Sequence, residues 1–416
     1  MRLVFFIVFV LLEITPQQLV AQESNTLKLN LTFKVDSLIN HGIQNKAFSG
    51  AQVLIFKKDT LRLHKAYGYH TYDSLSVVSK DHLYDLASVT KVLASTLALM
   101  KLYELYDLEI EDSVSKWIPQ LKRSNKKNHS FKQILSHSAG WLPYITHQDL
   151  VFNKRGKFKW NTLSHNKKKR FPVSVNDSLF IHKSYQKKIF RRIKKTKLST
   201  LGEMVYSGMF YFFLPQLVQD ISGLSFSKFL DIHFYDPMAL ERITFLPTYK
   251  FSKTEIVPTE QDSIFRKQLV HGWVHDEAAS LMGGISGNAG LFANANSIAP
   301  ILQMLLQKGR YQGKQFLKPK TINLFSKRTY PEGNNPRGLG FDKPSLDLKA
   351  KNRYPSVLVS PKTFGHTGYT GTMVWVDPEN DCFVILLTNR VYPSREQRGL
   401  YELNIRPKLL DYAIQY

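Results

Sequence analysis

Cysteine is almost absent from this chain: Cys382 is the only one among 416 residues. A single thiol excludes an internal disulfide and any zinc site built from several cysteines. Set in the apolar run Cys382-Phe383-Val384-Ile385-Leu386-Leu387, it reads as a buried strand residue. Long apolar runs are also scarce. The run Leu3 to Leu12 near the N-terminus covers ten residues, whereas a helix needs about 20 to cross a bilayer, so no stable membrane span is expected. Met1-Arg2 precedes the run, and Gln17-Gln18-Leu19-Val20-Ala21-Gln22 follows it. That is the form of a secretory signal peptide over residues 1–21, cut after Ala21, which would deliver the mature chain to the periplasm or release it. Gln22 rather than cysteine follows the expected cut, so lipid attachment there is not expected.

Acidic residues are missing from one stretch in particular. Of the 57 Lys+Arg that give the chain its formal +24 charge, sixteen fall between 151 and 200, against the single acid Asp177. A basic patch can bind nucleic acid, but this one has few aromatics and no helix-turn-helix, RRM or zinc-finger pattern, so no nucleic acid is expected. With an exported address, an anionic cell-wall polymer, a membrane surface or a merely solvated insertion stay open.

What is present is organised around Asp85-Leu86-Ala87-Ser88-Val89-Thr90-Lys91, which runs into Val92-Leu93-Ala94-Ser95-Thr96-Leu97-Ala98-Leu99-Met100. A helix apolar nearly all round belongs in an interior, yet this one carries a serine and a lysine in its first turn. Residues three apart share a helix face, so Ser88 and Lys91 point the same way. The positive end of a helix favours an alkoxide at Ser88, and a lysine held neutral by burial can take the serine proton. The spacing alone carries little, because it recurs at Ser113/Lys116, Ser124/Lys127, Ser164/Lys167, Ser184/Lys187 and Ser225/Lys228, mostly in polar or basic surroundings. A helix start whose serine caps and whose lysine snorkels outward stays open beside the catalytic reading.

Apolar periodicity predicts an opening amphipathic helix over 31–46 and a hairpin of two strands, 51–56 and 61–68, joined at Lys57-Lys58-Asp59-Thr60. It predicts a short helix over 131–140, a second buried helix from Tyr206 to Ile221 and another over 298–306. Two strands over 371–378 and 382–387 and a helix over 409–414 follow, whereas 142–200 has no readable period. Strands at both ends of the chain with helices between them suggest one antiparallel sheet assembled from distant segments.

Three short segments then fall in order: Ser88-x-x-Lys91, Tyr206-Ser207-Gly208 and His366-Thr367-Gly368. This resembles the serine β-lactamase and penicillin-binding-protein superfamily, with its S-x-x-K, Y-x-N and H-T-G stations, and within it the class C β-lactamases, DD-peptidases and related esterases. Leu135-Ser136-His137-Ser138-Ala139-Gly140, Gly283-Gly284-Ile285-Ser286-Gly287-Asn288-Ala289-Gly290 and Gly365-His366-Thr367-Gly368-Tyr369-Thr370-Gly371 also look like family segments in family order. The resemblance implies an α/β (α+β) fold, an antiparallel sheet flanked by helices with an inserted, mostly helical subdomain. One domain over 22–416 would take its sheet from about 30–85 and 355–416, its helical subdomain from about 86–350 and its basic insert from 151–200. It implies Ser88 as nucleophile, Lys91 as its activator and Tyr206 as proton shuttle. His366, Thr367, Gly368 and Tyr369 would line the substrate site, with the Ser88 and Tyr369 N–H groups as oxyanion donors, and no cofactor or metal would be needed. Substrates would be small esters, D-Ala-D-Ala-type peptides or β-lactams. A penicillin-recognising protein with slow turnover and a non-catalytic wall-binding protein are the alternatives.

The chain departs from the pattern at Gly208, where the family usually has Asn or Asp. That puts efficient β-lactam hydrolysis in more doubt than ester cleavage. His271 and His275 lie four apart, but Gly272 stands where a zinc helix needs glutamate, so both read as satisfied loop histidines. The glycines at 283, 284, 287 and 290 read as a tight turn near the pocket rather than a phosphate cradle.

Overall fold

A computed structural model describes residues 16–347 and 353–416, with side chains from residue 28 onward. Of the expected leader over 1–21, residues 1–15 lie outside the described residues. From Pro16 the chain is helical to Gln44 (α1), a longer element than the 31–46 periodicity predicts. Two adjoining strands follow, β1 (Gly50–Lys57) and β2 (Thr60–Gly68). The rest of the main sheet comes from the far end of the chain, as β3 (Phe364–Thr367), β4 (Met373–Asp377) and β5 (Cys382–Thr388). The spatial order is β3-β4-β5-β1-β2, antiparallel throughout, with Ala51 opposite Thr388 and Lys57 opposite Cys382.

Alternation along β1 and β5 shows why this sheet forms. Ala51, Val53, Ile55, Cys382, Val384 and Leu386 face one apolar cluster, while Leu54, Phe56, Phe383, Ile385 and Leu387 face the other. Successive strand side chains point to opposite faces, and here both faces are covered, so β5 reads as an unbroken apolar run. On one face lie α1 and the C-terminal helix Ile405–Gln415. On the other lies Ala295–Leu306, then the large helical region. Gln52 is the polar exception inside β1. Its amide donates to Ser79 O and His82 O at 2.7 and 2.8 Å and accepts from Ala295 N at 2.9 Å, fastening sheet to helix.

The helical region is built on the run after Ser88. Ala87–Val89 form a 3-10 turn, Lys91–Thr96 one π-helical turn, and Leu97–Leu105 a regular helix (α2). Every residue from Thr90 to Met100 is buried, so this segment is the axis of the larger core. A short sheet pairs Tyr84–Asp85 with Leu291–Ala293 and thereby sets the glycine turn beside the nucleophile turn.

Tyr206 does not open a helix. Pro215 is compatible only with a first helical turn, and the helix accordingly runs Leu214–Ser222 after a 3-10 turn at Phe210–Phe212. Ser207 Oγ donates to Leu142 O at 2.6 Å, a bond to backbone 65 positions away that holds Tyr206 in irregular backbone. The stretch without a readable period contains three two-residue strands, Leu163–Ser164, Val173–Ser174 and Phe180–Ile181, and the basic helix Tyr185–Lys195.

Candidate active site

Ser88 is presented by a turn that its neighbours hold in an unfavourable shape. Ala87 has φ +46°, a left-handed conformation that costs a non-glycine residue about 1–3 kcal/mol and persists only where the surroundings impose it. Buried Asp85 imposes it from one side, its carboxylate accepting from Ala87 N at 2.8 Å and His275 N at 2.6 Å. The loop after β3 does so from the other, Thr370 Oγ1 donating to Asp85 O at 2.8 Å and Thr372 Oγ1 to Leu86 O at 2.9 Å. The nucleophile turn and the β3 edge are therefore one unit.

Behind the serine, Lys91 is 2% exposed. Its Nζ donates to Ser88 Oγ at 3.0 Å and to Asn288 O at 2.9 Å, and lies 5.4 Å from the ring centroids of both Tyr206 and Tyr211. The glycine turn supplies that carbonyl. Gly283, Gly284 and Gly290 have φ of +93°, +84° and +113°, and Ser95 Oγ donates to Gly287 O at 2.7 Å. No carboxylate pairs with Lys91 among the described residues.

Opposite stand Tyr206 and a polar cluster on three loops and a strand. The Tyr206 ring lies 4.6 Å from His137, 5.9 Å from His366 and 5.4 Å from the Arg337 guanidinium. Arg337 pairs with buried Asp342, whose carboxyl burial pushes up most strongly, but the guanidinium, the Tyr354 hydrogen bond and the other neighbouring groups together hold it below the usual range. Asp342 also accepts from Tyr354 Oη at 3.0 Å. Arg337 Nε and Nη2 remain buried with no acceptor among the described residues.

His366 is brought down to about 4 by burial first, then by the Arg337 guanidinium, with Asp342 pulling the other way. It is neutral at pH 7, so its 3.9 Å separation from Asp342 is not an ion pair. Its Nδ1 lies 2.7 Å from Thr367 O, a geometry that places the proton on Nδ1 and leaves Nε2 an acceptor. Burial also holds His137 well below the ordinary histidine range and His147 at about 4.

These buried histidines make an acid-stability prediction. Their folded pKa values lie below the unfolded value, so the unfolded chain takes up protons that the folded chain refuses. The stability they contribute is fully present above about pH 6.5 and is lost as the pH falls toward 4, on the order of 3 kcal/mol for His366 alone. Glu260 is set apart from this window: burial would raise it, but hydrogen bonds from His275 and Arg395 hold it at about 2. Urea midpoints should therefore fall steadily between about pH 6.5 and 4; a flat profile across that window would contradict the neutral assignment.

Ser88, Tyr206, Arg337, His366, Thr367, Gly368 and Tyr369 line a single cleft of about 640 Å³, which continues past Trp375 to Tyr401 and Arg406. Gly368 is where the β3 edge comes closest to the serine turn, since a Cβ there would lie 2.5 Å from Leu86 O and 2.0 Å from Thr372 Oγ1. Arg406 Nη2 donates to Gly368 O at 2.8 Å and Thr372 O at 2.9 Å, while Tyr369 O accepts from Arg390 at 2.8 and 3.0 Å. No group of three or more metal-ligating side chains occurs among the described residues.

All seven residues singled out in the sequence thus converge: six line the cleft and Lys91 lies directly behind Ser88. His271 and His275 do not line the cleft and are satisfied, the first 2.7 Å from Ile256 O and Lys253 O, the second 2.8 Å from Glu260 with its ring 5.7 Å from that of Tyr369. Sequence reading missed His137 as a neighbour of Tyr206, and missed Arg337, Asp342 and Arg406 altogether. For His137 the signal was its place in the segment 135–140; for the others no local pattern marks them.

A family model described as Beta-lactamase matches residues 35–405. A protein of Salmonella agona (strain SL483) named "Putative D-alanyl-D-alanine carboxypeptidase" is 29% identical over 386 residues, covering 84% of this chain and 81% of that protein. Among solved structures, EstCE1, described as a hydrolase with promiscuous acyltransferase activity, superposes with a TM-score of 0.65 at 18% identity, covering 92% of this chain and 99% of its own. A penicillin-binding-protein homologue from Caulobacter crescentus gives 0.64 at 14% identity, covering 92% and 97%.

Proposed function

The chain belongs to the Beta-lactamase family of serine hydrolases, and on that footing we propose an exported acyl-transferring hydrolase that removes the terminal residue of D-Ala-D-Ala-type peptides. The observation that carries the reading is Lys91 Nζ at 3.0 Å from Ser88 Oγ, the one basic group within hydrogen-bond distance of that oxygen among the described residues. Ser88 Oγ attacks the substrate carbonyl as its proton passes to Lys91. The oxyanion forms against the N–H groups of Ser88 and Tyr369, donors fixed before reaction. Tyr206 then gives its phenolic proton to the departing amine and recovers one from Lys91. Water, giving up a proton by the same route, hydrolyses the acyl ester and frees Ser88.

A substrate carboxylate suits this cleft better than a neutral leaving group. Arg337, paired to Asp342 through Nη1, brings two buried nitrogens without acceptors, Nε and Nη2, to the wall facing the serine, and the free edge of a guanidinium is a fork for a carboxylate. The relative named a carboxypeptidase supports the same substrate end. One observation favours slow handling of β-lactams: at Gly208 the family's amide side chain is missing and the nearest atom to an added Cβ is Asn288 Cβ at 3.9 Å. Penicillins would acylate Ser88 and leave slowly.

The test is D-alanine release from a peptide ending in D-Ala-D-Ala and from the same peptide with its terminal carboxylate amidated. Wild-type enzyme should strongly prefer the free acid, and Arg337→Met should raise its KM by roughly 10- to 100-fold, the loss of a charged hydrogen bond. Equal cleavage of acid and amide, or cleavage of simple esters alone, would move the protein to the esterase reading.

A further inference from the structure

The basic segment 151–200 lines no part of the cleft, and its cations have no carboxylate partners among the described residues. Of its sixteen Lys and Arg, thirteen are exposed and the other three half-buried. Among the described residues none of the sixteen forms an ion pair, and the segment's one acid, Asp177, is paired outward to Lys253. The segment is nonetheless firmly built. Tyr185, Ile189, Phe190 and Ile193 bury one face of the helix Tyr185–Lys195, and Phe190 stacks on Phe213 at 4.6 Å.

The opposite face carries Lys187, Arg191 and Lys195 at successive i, i+4 positions, an arrangement that destabilises a helix unless an anion covers it. The neighbouring loop continues the same surface. Lys188 Nζ donates to Asn161 O at 2.9 Å, Lys183 N donates to Arg170 O at 3.0 Å, and the Arg170 guanidinium lies 5.2 Å from the Trp160 ring. Trp160 is 80% exposed, and Lys157, Lys159, Lys167, Lys168 and Lys169 on either side of it in the chain are exposed as well.

We propose that this surface docks on a bilayer rich in anionic phospholipid, the cations meeting headgroup phosphates and Trp160 entering the interfacial layer. Unpaired cations and an anionic leaflet are complementary, and their attraction adds residue by residue near the surface. The exposed indole decides between occupants. A soluble polyanion offers it nothing apolar, whereas the headgroup boundary is where tryptophan settles. This inference is independent of the chemistry at Ser88.

The experiment is co-sedimentation of mature protein with vesicles of phosphatidylcholine alone or containing about a third phosphatidylglycerol, with tryptophan emission recorded in parallel. Wild type should bind the anionic vesicles only, with a blue shift absent from Trp160→Phe, and should be released at about 1 M salt, where screening shortens to roughly 3 Å. The triple variant Lys167→Glu, Lys168→Glu, Lys169→Glu changes only exposed, unpaired side chains. It should melt as wild type does and bind at least about tenfold more weakly. No partition at low salt, undiminished binding by the triple variant, or binding to polyphosphate without binding to vesicles would each overturn the proposal.

Discussion

Ser88→Ala should fold normally and form no covalent adduct with either a fluorophosphonate or a penicillin, both of which wild type should carry as an added mass on the intact protein. The substitution removes one oxygen, from an atom whose hydrogen-bond partner is Lys91, so it opens no cavity of consequence. Turnover should fall by at least about a thousandfold, as it does where a nucleophile and its base act as a unit. Lys91→Met should lose nearly as much, because Ser88 would then have no proton acceptor at hydrogen-bond distance, and the double variant should lose little more. That lack of additivity tests whether the two are one machine. A Ser88→Ala enzyme that still acquires either adduct would place the nucleophile elsewhere and end the assignment. Fluorophosphonate labelling without penicillin labelling would retain Ser88 and exclude recognition of wall-peptide mimics.

The second large effect is expected at a residue with no reactive atom. Gly368→Ala would put a methyl 2.0 Å from Thr372 Oγ1 and 2.5 Å from Leu86 O, and the second of these is backbone that cannot swing away. The strand edge must retreat from the serine turn, breaking the Thr372–Leu86 bond that helps hold Ala87 at positive φ. Overpacking of this kind costs about 1–3 kcal/mol of stability. The rate should fall by about 100-fold, because a displacement near 1 Å between nucleophile and oxyanion donors is enough for that. The diagnostic is a fall in kcat with the urea midpoint only modestly lowered. An unchanged kcat would show that β3 and the serine turn do not work as a single unit.

How legible these features were in the chain depends on how local their causes are. The strands Gly50–Lys57 and Cys382–Thr388 carry their own period and were readable almost to the residue. Ser88 and Lys91 were readable because helical spacing by itself brings them to one face. Tyr206 was found by the order of segments and misplaced in its element, since Pro215 and the Ser207–Leu142 bond, not apolar content, decide where that helix starts. Arg337 and Asp342 were invisible because they sit on loops, and only the fold brings them opposite the serine. The sheet of two-residue strands within 163–181 was likewise unreadable, being too short to express a period.

Ser49 and Asn389 are 340 positions apart, yet Asn389 Nδ2 donates to Ser49 Oγ at 2.8 Å, and β5 completes the sheet that β1 begins. The timing of activity follows from that distance. A ribosome releases the serine turn long before it releases Gly368, Thr370 and Thr372, which hold that turn in its reactive shape. Contacts of such span form late, because the closure entropy of the intervening chain must be met first. The nascent chain is thus chemically silent for most of its synthesis, and a copy truncated anywhere between Lys91 and β3 would hold the serine and the lysine but no site.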